Sequence, residues 1–172
     1  MVMFNQILSL LSGDSPASTR PDQLQVAVAA LMVHAAAMDD TFDETERHMI
    51  ERLLGERFKL APDAVKTLLA AAETRAEDSS QLYPFIRLAV EKLDERGRVQ
   101  LVEMLWEVAY ADGVLNPDED ALLRRVAGLL YVSDYDRGEA RKRVLRRICL
   151  TSQNDVGQHD TAKQKSQDEE GH

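Results

Sequence analysis

The sequence predicts an all-α fold: a single compact bundle of about seven helices, built from two related helical-hairpin halves and preceded by a short N-terminal helix. Apolar residues recur at helical spacing along runs rich in Ala, Leu, Glu and Arg. The five prolines and eight glycines stand mostly at the ends of those runs, where they start or stop helices. One stretch also repeats after 73 residues, which indicates an internal duplication.

The first predicted element is a short apolar helix over residues 3–11, and a Ser-, Gly- and Pro-containing linker follows it. Its apolar residues fall at helical spacing: Met3, Phe4, Ile7, Leu8 and Leu11. A helix this short is marginal by itself in water, so it must dock. Two alternatives stay open: it packs back on its own domain, or it contacts a protein partner or a membrane surface.

Seven further helices are predicted between residues 21 and 150, which bound the folded domain, whereas residues 1–20 hold the N-terminal helix and linker. Their expected ranges are 21–38, 44–58, 62–76, 81–95, 99–111, 117–131 and 134–150. Arg96-Gly97-Arg98 is expected to separate the two halves. Residues 151–172 are polar and have no periodic apolar positions, so we predict a disordered tail there.

A helix, a tight corner and a second helix occupy residues 109–119. Gly113 ends the first helix, because glycine takes a left-handed backbone without a Cβ penalty. Asn116 is the expected N-cap of the next helix, with Pro117 at its first position. Glu119 falls at the third position, where its carboxylate can reach back to the N–H of the cap.

The same pattern occurs 73 residues earlier, at residues 36–46. The matched residues are Asp39 with Asp112, Asp43 with Asn116, and Glu46 with Glu119. Related hairpins commonly pack about a pseudo-twofold axis, which would bring the two acidic corners near one another or onto corresponding faces.

Oxygen ligands grouped on loops suit hard divalent cations such as Ca²⁺ or Mg²⁺. The candidate metal ligands are Asp39, Asp43, Glu46, Asp112, Asn116 and Glu119. One corner supplies too few oxygens, and neither corner matches the 12-residue loop of an EF-hand. A cation site therefore requires that both corners act together.

A purely structural alternative stays open, because the caps and capping boxes at these corners stabilise helices with no ligand. Asp39 and Asp112 do not fit it, since both follow helix C-termini, where the helix dipole disfavours a negative charge.

The net charge of −9 argues against nucleic-acid binding, which needs a positive surface. The single cysteine, Cys149, fits a reducing compartment, and no stretch is apolar enough to span a membrane. We therefore expect a cytoplasmic protein. No catalytic or phosphate-binding motif is recognisable, so we expect no enzyme and no cofactor other than the cation.

The last predicted helix holds six basic residues against three acidic ones. Bases near a helix C-terminus are favoured by the helix dipole, or they form a docking strip for an acidic partner or lipid headgroups. This leaves an alternative function open, a protein-interaction adaptor with structural corners that binds through the N-terminal helix or this last helix. The oligomeric state is open as well.

The corner motif Ala-x-Ala-Asp-Gly-x-Leu-x-x-x-Glu, its looser copy at residues 39–46, and Leu82-Tyr83-Pro84-Phe85 resemble the TerB-like domain, a helical module named for bacterial tellurite resistance. The resemblance covers residues 23–147. It implies an all-α bundle in a cytoplasmic bacterial protein linked to tellurite or stress response. It also implies a divalent-metal site that includes Asp39, Glu46, Asp112 and Glu119.

Overall fold

The computed structural model of the protein describes residues 21–37, 43–78, 81–111, 113, 115 and 117–165, with side chains up to residue 150. These residues form seven helices and no strand, which confirms the predicted all-α class. The helices are α1 Gln23–Ala36, α2 Glu44–Phe58, α3 Pro62–Asp78, α4 Tyr83–Lys92, α5 Glu95–Ala109, α6 Pro117–Leu129 and α7 Asp134–Lys165. The predicted helix at residues 3–11 lies outside the described residues. None of the described helices is long and apolar enough to cross a bilayer.

Helix α1 is the centre of the bundle and contacts α2, α3, α4, α5 and α6. From Ala27 to Ala36 every residue except His34 is buried. The helix contains no acidic, lysine or arginine side chain, and many of its residues are alanines. Small side chains let several neighbours approach closely at once, which is why this helix is buried all round.

The internal duplication extends to three helices in each half, one more than the predicted hairpin. In the first half α1 packs on α2 and α3, and in the second half α5 packs on α6 and α7. Between the halves α1 meets α5, while α2 meets α5 and α6 meets α1. Exchanging the two halves leaves this set of contacts unchanged, as a pseudo-twofold relation requires. Helix α4 is extra, because it joins the halves and packs on α1.

The second helices of the two halves end in the same way. Lys59 after α2 and Tyr131 after α6 both adopt a left-handed backbone, with φ of 55° and 56°. In both cases the N–H of the next residue donates to a carbonyl five residues back, at 3.2 and 3.0 Å. This pattern closes a helix and reverses the chain, so each third helix returns along its own half.

The predicted boundary between α4 and α5 was wrong. The break comes at Leu93 and Asp94, so α5 begins at Glu95 and includes Gly97 instead of following it. The Asp94 side chain is the N-cap and accepts the Gly97 N–H at 2.7 Å. A Cβ on residue 97 would lie 3.0 Å from Asp94 Oδ1 and 3.2 Å from Leu93 Cδ2. The glycine therefore leaves room for the cap and is not a helix breaker.

The predicted end of the last helix near Leu150 was also wrong, because α7 continues to Lys165. Residues 151–165 contain no proline. Once a helix is nucleated, each further residue adds a hydrogen bond at little cost, so the packed part of α7 can propagate into a polar extension. Residues 166–172 lie outside the described residues.

Candidate metal site at the acidic corners

Three of the six predicted metal ligands, Asp43, Glu46 and Glu119, are among the described residues. The others lie outside them: Asp39, Asp112 and Asn116. Within the described part of the chain, no three His, Cys, Asp or Glu side chains gather as a metal ion would require. The complete ligand set therefore stays a prediction, and the geometry around the corners bears on it.

A capping box begins α2 at the first corner, as predicted. Asp43 has an extended backbone, and its Oδ1 accepts the Glu46 N–H at 2.9 Å. In return Glu46 Oε2 accepts the Asp43 N–H at 3.1 Å. The two side chains thus satisfy two backbone donors that a helix start leaves free.

Glu46 and Glu119 are the two buried charged residues in the described part of the chain, with 6% and 5% exposure. They occupy matched positions of the repeat, the third residue of α2 and of α6. Burying a carboxylate is costly unless hydrogen bonds or positive charge compensate, and the positive end of a helix dipole supplies part of this. Sequence reasoning identified both residues, but nothing in their pattern predicted the burial.

The two corners lie at the same end of the bundle. Met49, near the start of α2, lines one cleft together with Tyr110 and Ala111, which follow α5. Arg52 lies one turn further along α2, and Glu107 lies one turn earlier in α5. Their side chains are 3.4 Å apart. Helices α2 and α5 are therefore antiparallel. The start of α2, which follows the first corner, and the end of α5, which precedes the second, therefore lie at the same end of the bundle.

An aromatic and cationic stack holds the second corner. Tyr110 stacks on the buried Trp106, with ring centroids 6.0 Å apart. The Arg141 guanidinium lies 5.0 Å from the Trp106 ring centroid and donates through Nε to the Tyr110 hydroxyl at 2.8 Å. The same guanidinium is 3.5 Å from Asp120 of α6. Arg141 of α7 thus contacts both Tyr110, which follows α5, and Asp120 of α6. Sequence reasoning did not identify this role of Arg141.

Each corner is also braced by an ion pair between the second and third helices of its half. In the first half Arg47 of α2 pairs with Glu73 of α3. At the matched position of α6, Asp120 pairs with Arg141 of α7. The charges are reversed, and only the residues on the second helices match in the repeat, because Glu73 corresponds to Arg146 and not to Arg141.

Much of the basic character of α7 is used inside the molecule. Arg143 pairs with Glu103 of α5 at 2.6 Å, and Arg147 pairs with both Glu103 and Glu107. The two glutamate side chains are only 16% exposed, so these pairs are partly shielded from solvent. Two of the six basic residues of the predicted strip are therefore paired with α5, and whether the strip also binds a partner stays a prediction.

The chain matches the family model described as tellurite resistance protein TerB over residues 25–142. No curated protein and no solved structure matches it. The matched range begins in α1 and ends in α7, so it includes both halves of the repeat and both acidic corners. The all-α architecture and the match over more than two thirds of the 172 residues agree, and the chain belongs to the TerB family of tellurite resistance proteins.

Proposed function

We propose that this TerB family member is a non-enzymatic module whose two acidic corners together bind one divalent cation, Ca²⁺ or Mg²⁺. Membership of the family links the chain to tellurite resistance. In this proposal the bound cation stabilises the surface around the corners and presents it to other components of the tellurite or stress response. The ligands are the six residues of the two corners: Asp39, Asp43, Glu46, Asp112, Asn116 and Glu119.

The observation that carries the proposal is the matched burial of Glu46 and Glu119. A capping box does not need a buried acid, because α1 has one formed by Asp22 and the neutral Gln25, whose hydrogen bonds are exposed. Burial removes hydration from each of these two carboxylates, which is costly for a negative charge. In this proposal a divalent cation at the corners offsets that cost.

Capping and cation binding are compatible at the same side chain. A carboxylate has two oxygens and about four acceptor sites. The capping box uses Asp43 Oδ1 and Glu46 Oε2 for one backbone N–H each, which is one of the about four acceptor sites of each carboxylate. The box therefore orients the two carboxylates, and it does so before any cation arrives.

The aspartates that precede each cap are assigned the leading role. Asp39 follows the C-terminus of α1 and Asp112 follows the C-terminus of α5. The negative end of a helix dipole disfavours an aspartate there but attracts a cation, by about 0.3–1 kcal/mol at each helix. A cation at the corners therefore gives a physical reason for placing acids at these two helix ends.

Calorimetric titration of the full chain with CaCl₂ and with MgCl₂, after treatment with a chelator, tests the proposal. Binding should release or absorb heat and raise the thermal midpoint, since a cation at 100 times its Kd adds about 2.7 kcal/mol to the free energy of unfolding. Asp39→Asn combined with Asp112→Asn should abolish both effects. Asp78→Asn, at the exposed C-terminus of α3, is the matched control and should retain them. A wild-type chain that shows neither effect, or a double variant that responds equally, would overturn the proposal.

A further inference from the structure

An apolar groove lies between α1, α3 and α4, at the end of α1 opposite to the acidic corners. Its volume is about 430 Å³. The apolar residues that line it are Pro21, Val26, Ala27, Ala71, Pro84, Phe85 and Leu88. Four of these are only half-buried: Pro21, Val26, Ala71 and Leu88. The groove thus exposes apolar surface that a further apolar element would bury favourably.

The chain itself leads into this groove. Pro21, one of the lining residues, is the first described residue. Residues 1–20 therefore join the domain at the edge of the groove. Residues 3–11 hold no charged side chain, and their apolar residues fall on one helical stripe. Such a segment cannot stay exposed as a stable helix in water, so it needs an apolar surface within reach.

The linker is long enough for the segment to return. Residues 12–20 are nine residues, which span at most about 30 Å when extended. Helix α1 has 14 residues and is about 21 Å long. The segment can therefore reach any part of the groove, and a short flexible linker holds it near its own domain at an effective concentration in the millimolar range.

We infer that residues 3–11 bind in the α1–α3–α4 groove of their own chain. A second copy of the protein competes poorly for the groove, because it lacks the advantage of the linker. A membrane surface is disfavoured as well, because residues 1–19 contain no lysine or arginine and include Asp14. Attraction to anionic lipid depends on such basic residues.

Paramagnetic relaxation in the full chain tests the inference. A spin label is placed at residue 6, on the polar side of the stripe, with Gln6→Cys in a Cys149→Ser background. Binding in the groove should broaden the methyl resonances of Ala71 and Leu88, and it should leave Leu129 on α6 sharp. This result should not depend on added Ca²⁺ or Mg²⁺, so it is independent of the cation proposal.

Two matched pairs of variants decide whether the broadening reports the groove. Leu8→Asp with Leu11→Asp should abolish it, while Asn5→Asp with Ser9→Asp adds the same charge off the stripe and should leave it. Ala71→Glu should abolish the broadening of the Leu88 methyl resonances, while Ala70→Glu, at the exposed neighbouring position, should not.

Three results would overturn the inference. The first is that the methyl resonances of Ala71 and Leu88 stay sharp when residue 6 carries the spin label and the groove is unchanged. The second is broadening that appears between chains, when a spin-labelled chain is mixed with an isotope-labelled one, since this would assign the groove to a second copy. The third is binding of the segment to phosphatidylglycerol vesicles with no broadening in the groove.

Discussion

Arg141 donates through Nε to the hydroxyl of Tyr110 at 2.8 Å, and this bond joins α7 to the residue that follows α5. The bond lies at the start of the second acidic corner, over the indole of the buried Trp106. A residue 31 positions away along the chain therefore sets where this corner begins.

Removing either partner of this bond should destabilise the fold. Tyr110→Phe deletes the acceptor, and Arg141→Met deletes the donor, the cation over Trp106 and the pair with Asp120. We expect losses of about 1 and about 2 kcal/mol in the free energy of unfolding, because a hydrogen bond with one charged partner is worth about 1.5–3 kcal/mol and partial exposure reduces it. Urea denaturation measures both, and a double-mutant cycle should return a coupling of about 0.5–1 kcal/mol. Arg146→Met, at an exposed position of α7, is the control. Equal effects from Arg146→Met and Arg141→Met would contradict this account.

Glu46 should separate stability from cation binding. Glu46→Gln keeps an acceptor for the Asp43 N–H, so the stability of the cation-free chain should change by less than about 0.5 kcal/mol. Glu46→Ala removes the acceptor and should cost about 1 kcal/mol. Both variants should weaken Ca²⁺ or Mg²⁺ binding in calorimetry, because both remove a buried carboxylate. Glu44→Gln, whose side chain is 79% exposed, should leave binding intact. Unchanged affinity in Glu46→Gln would show that this glutamate serves only the capping box.

Gly113 should be intolerant of a side chain for backbone reasons alone. Its φ is +83°, and no atom lies within 4 Å of the Cβ that alanine would add. Gly113→Ala should therefore lower the free energy of unfolding by about 1–2 kcal/mol through left-handed strain. Gly113→Asn should cost less, since asparagine tolerates this conformation better. Thermal unfolding compares the two, and an alanine variant as stable as the wild type would contradict the assigned turn.

Gly97 and Gly138 should respond to alanine with opposite signs. Both lie within helices, but a Cβ at residue 97 meets the Asp94 cap at 3.0 Å, whereas one at residue 138 meets nothing within 4 Å. Gly138→Ala should stabilise the protein by about 0.5–1 kcal/mol through helix propensity. Gly97→Ala should destabilise it by about 1 kcal/mol, because displacing the cap outweighs the propensity gain. Chemical denaturation at fixed pH checks the signs. Stabilisation by both variants would show that the Asp94 cap is dispensable.

The two halves differ where α4 packs, and the difference explains why α4 has no counterpart. His34 of α1 lies 6.0 Å from the ring of Phe85 in α4. The repeat matches Ala30 and His34 of α1 with Glu103 and Glu107 of α5. On α5 these glutamates bind arginines from α2 and α7. The face of α5 that corresponds to the α4-binding face of α1 therefore carries an ion-pair cluster with α2 and α7 instead of a packed helix.

Sequence reasoning worked best where the interaction was local. The box of Asp43 and Glu46, the left-handed Gly113 and the start of α3 at Pro62 each depend on residues a few positions apart. It failed at Gly97, because glycine was taken as a separator, whereas Asp94 three residues earlier needs the space. It also failed at the end of α7, because the absence of apolar periodicity removes packing but does not forbid a helix.

By itself the sequence determined the all-α class, the duplication and the acidic character of both corners, because periodicity, turn residues and caps act within a few positions of the chain. Only the tertiary structure decided that the start of α2 and the end of α5 lie at one end of the bundle and that Glu46 and Glu119 are buried. It also decided that arginines of α7 form ion pairs with acidic residues of α5 and α6. These features depend on which helices meet and at what angle. That outcome is set by packing over the whole core, and no short stretch of sequence encodes it.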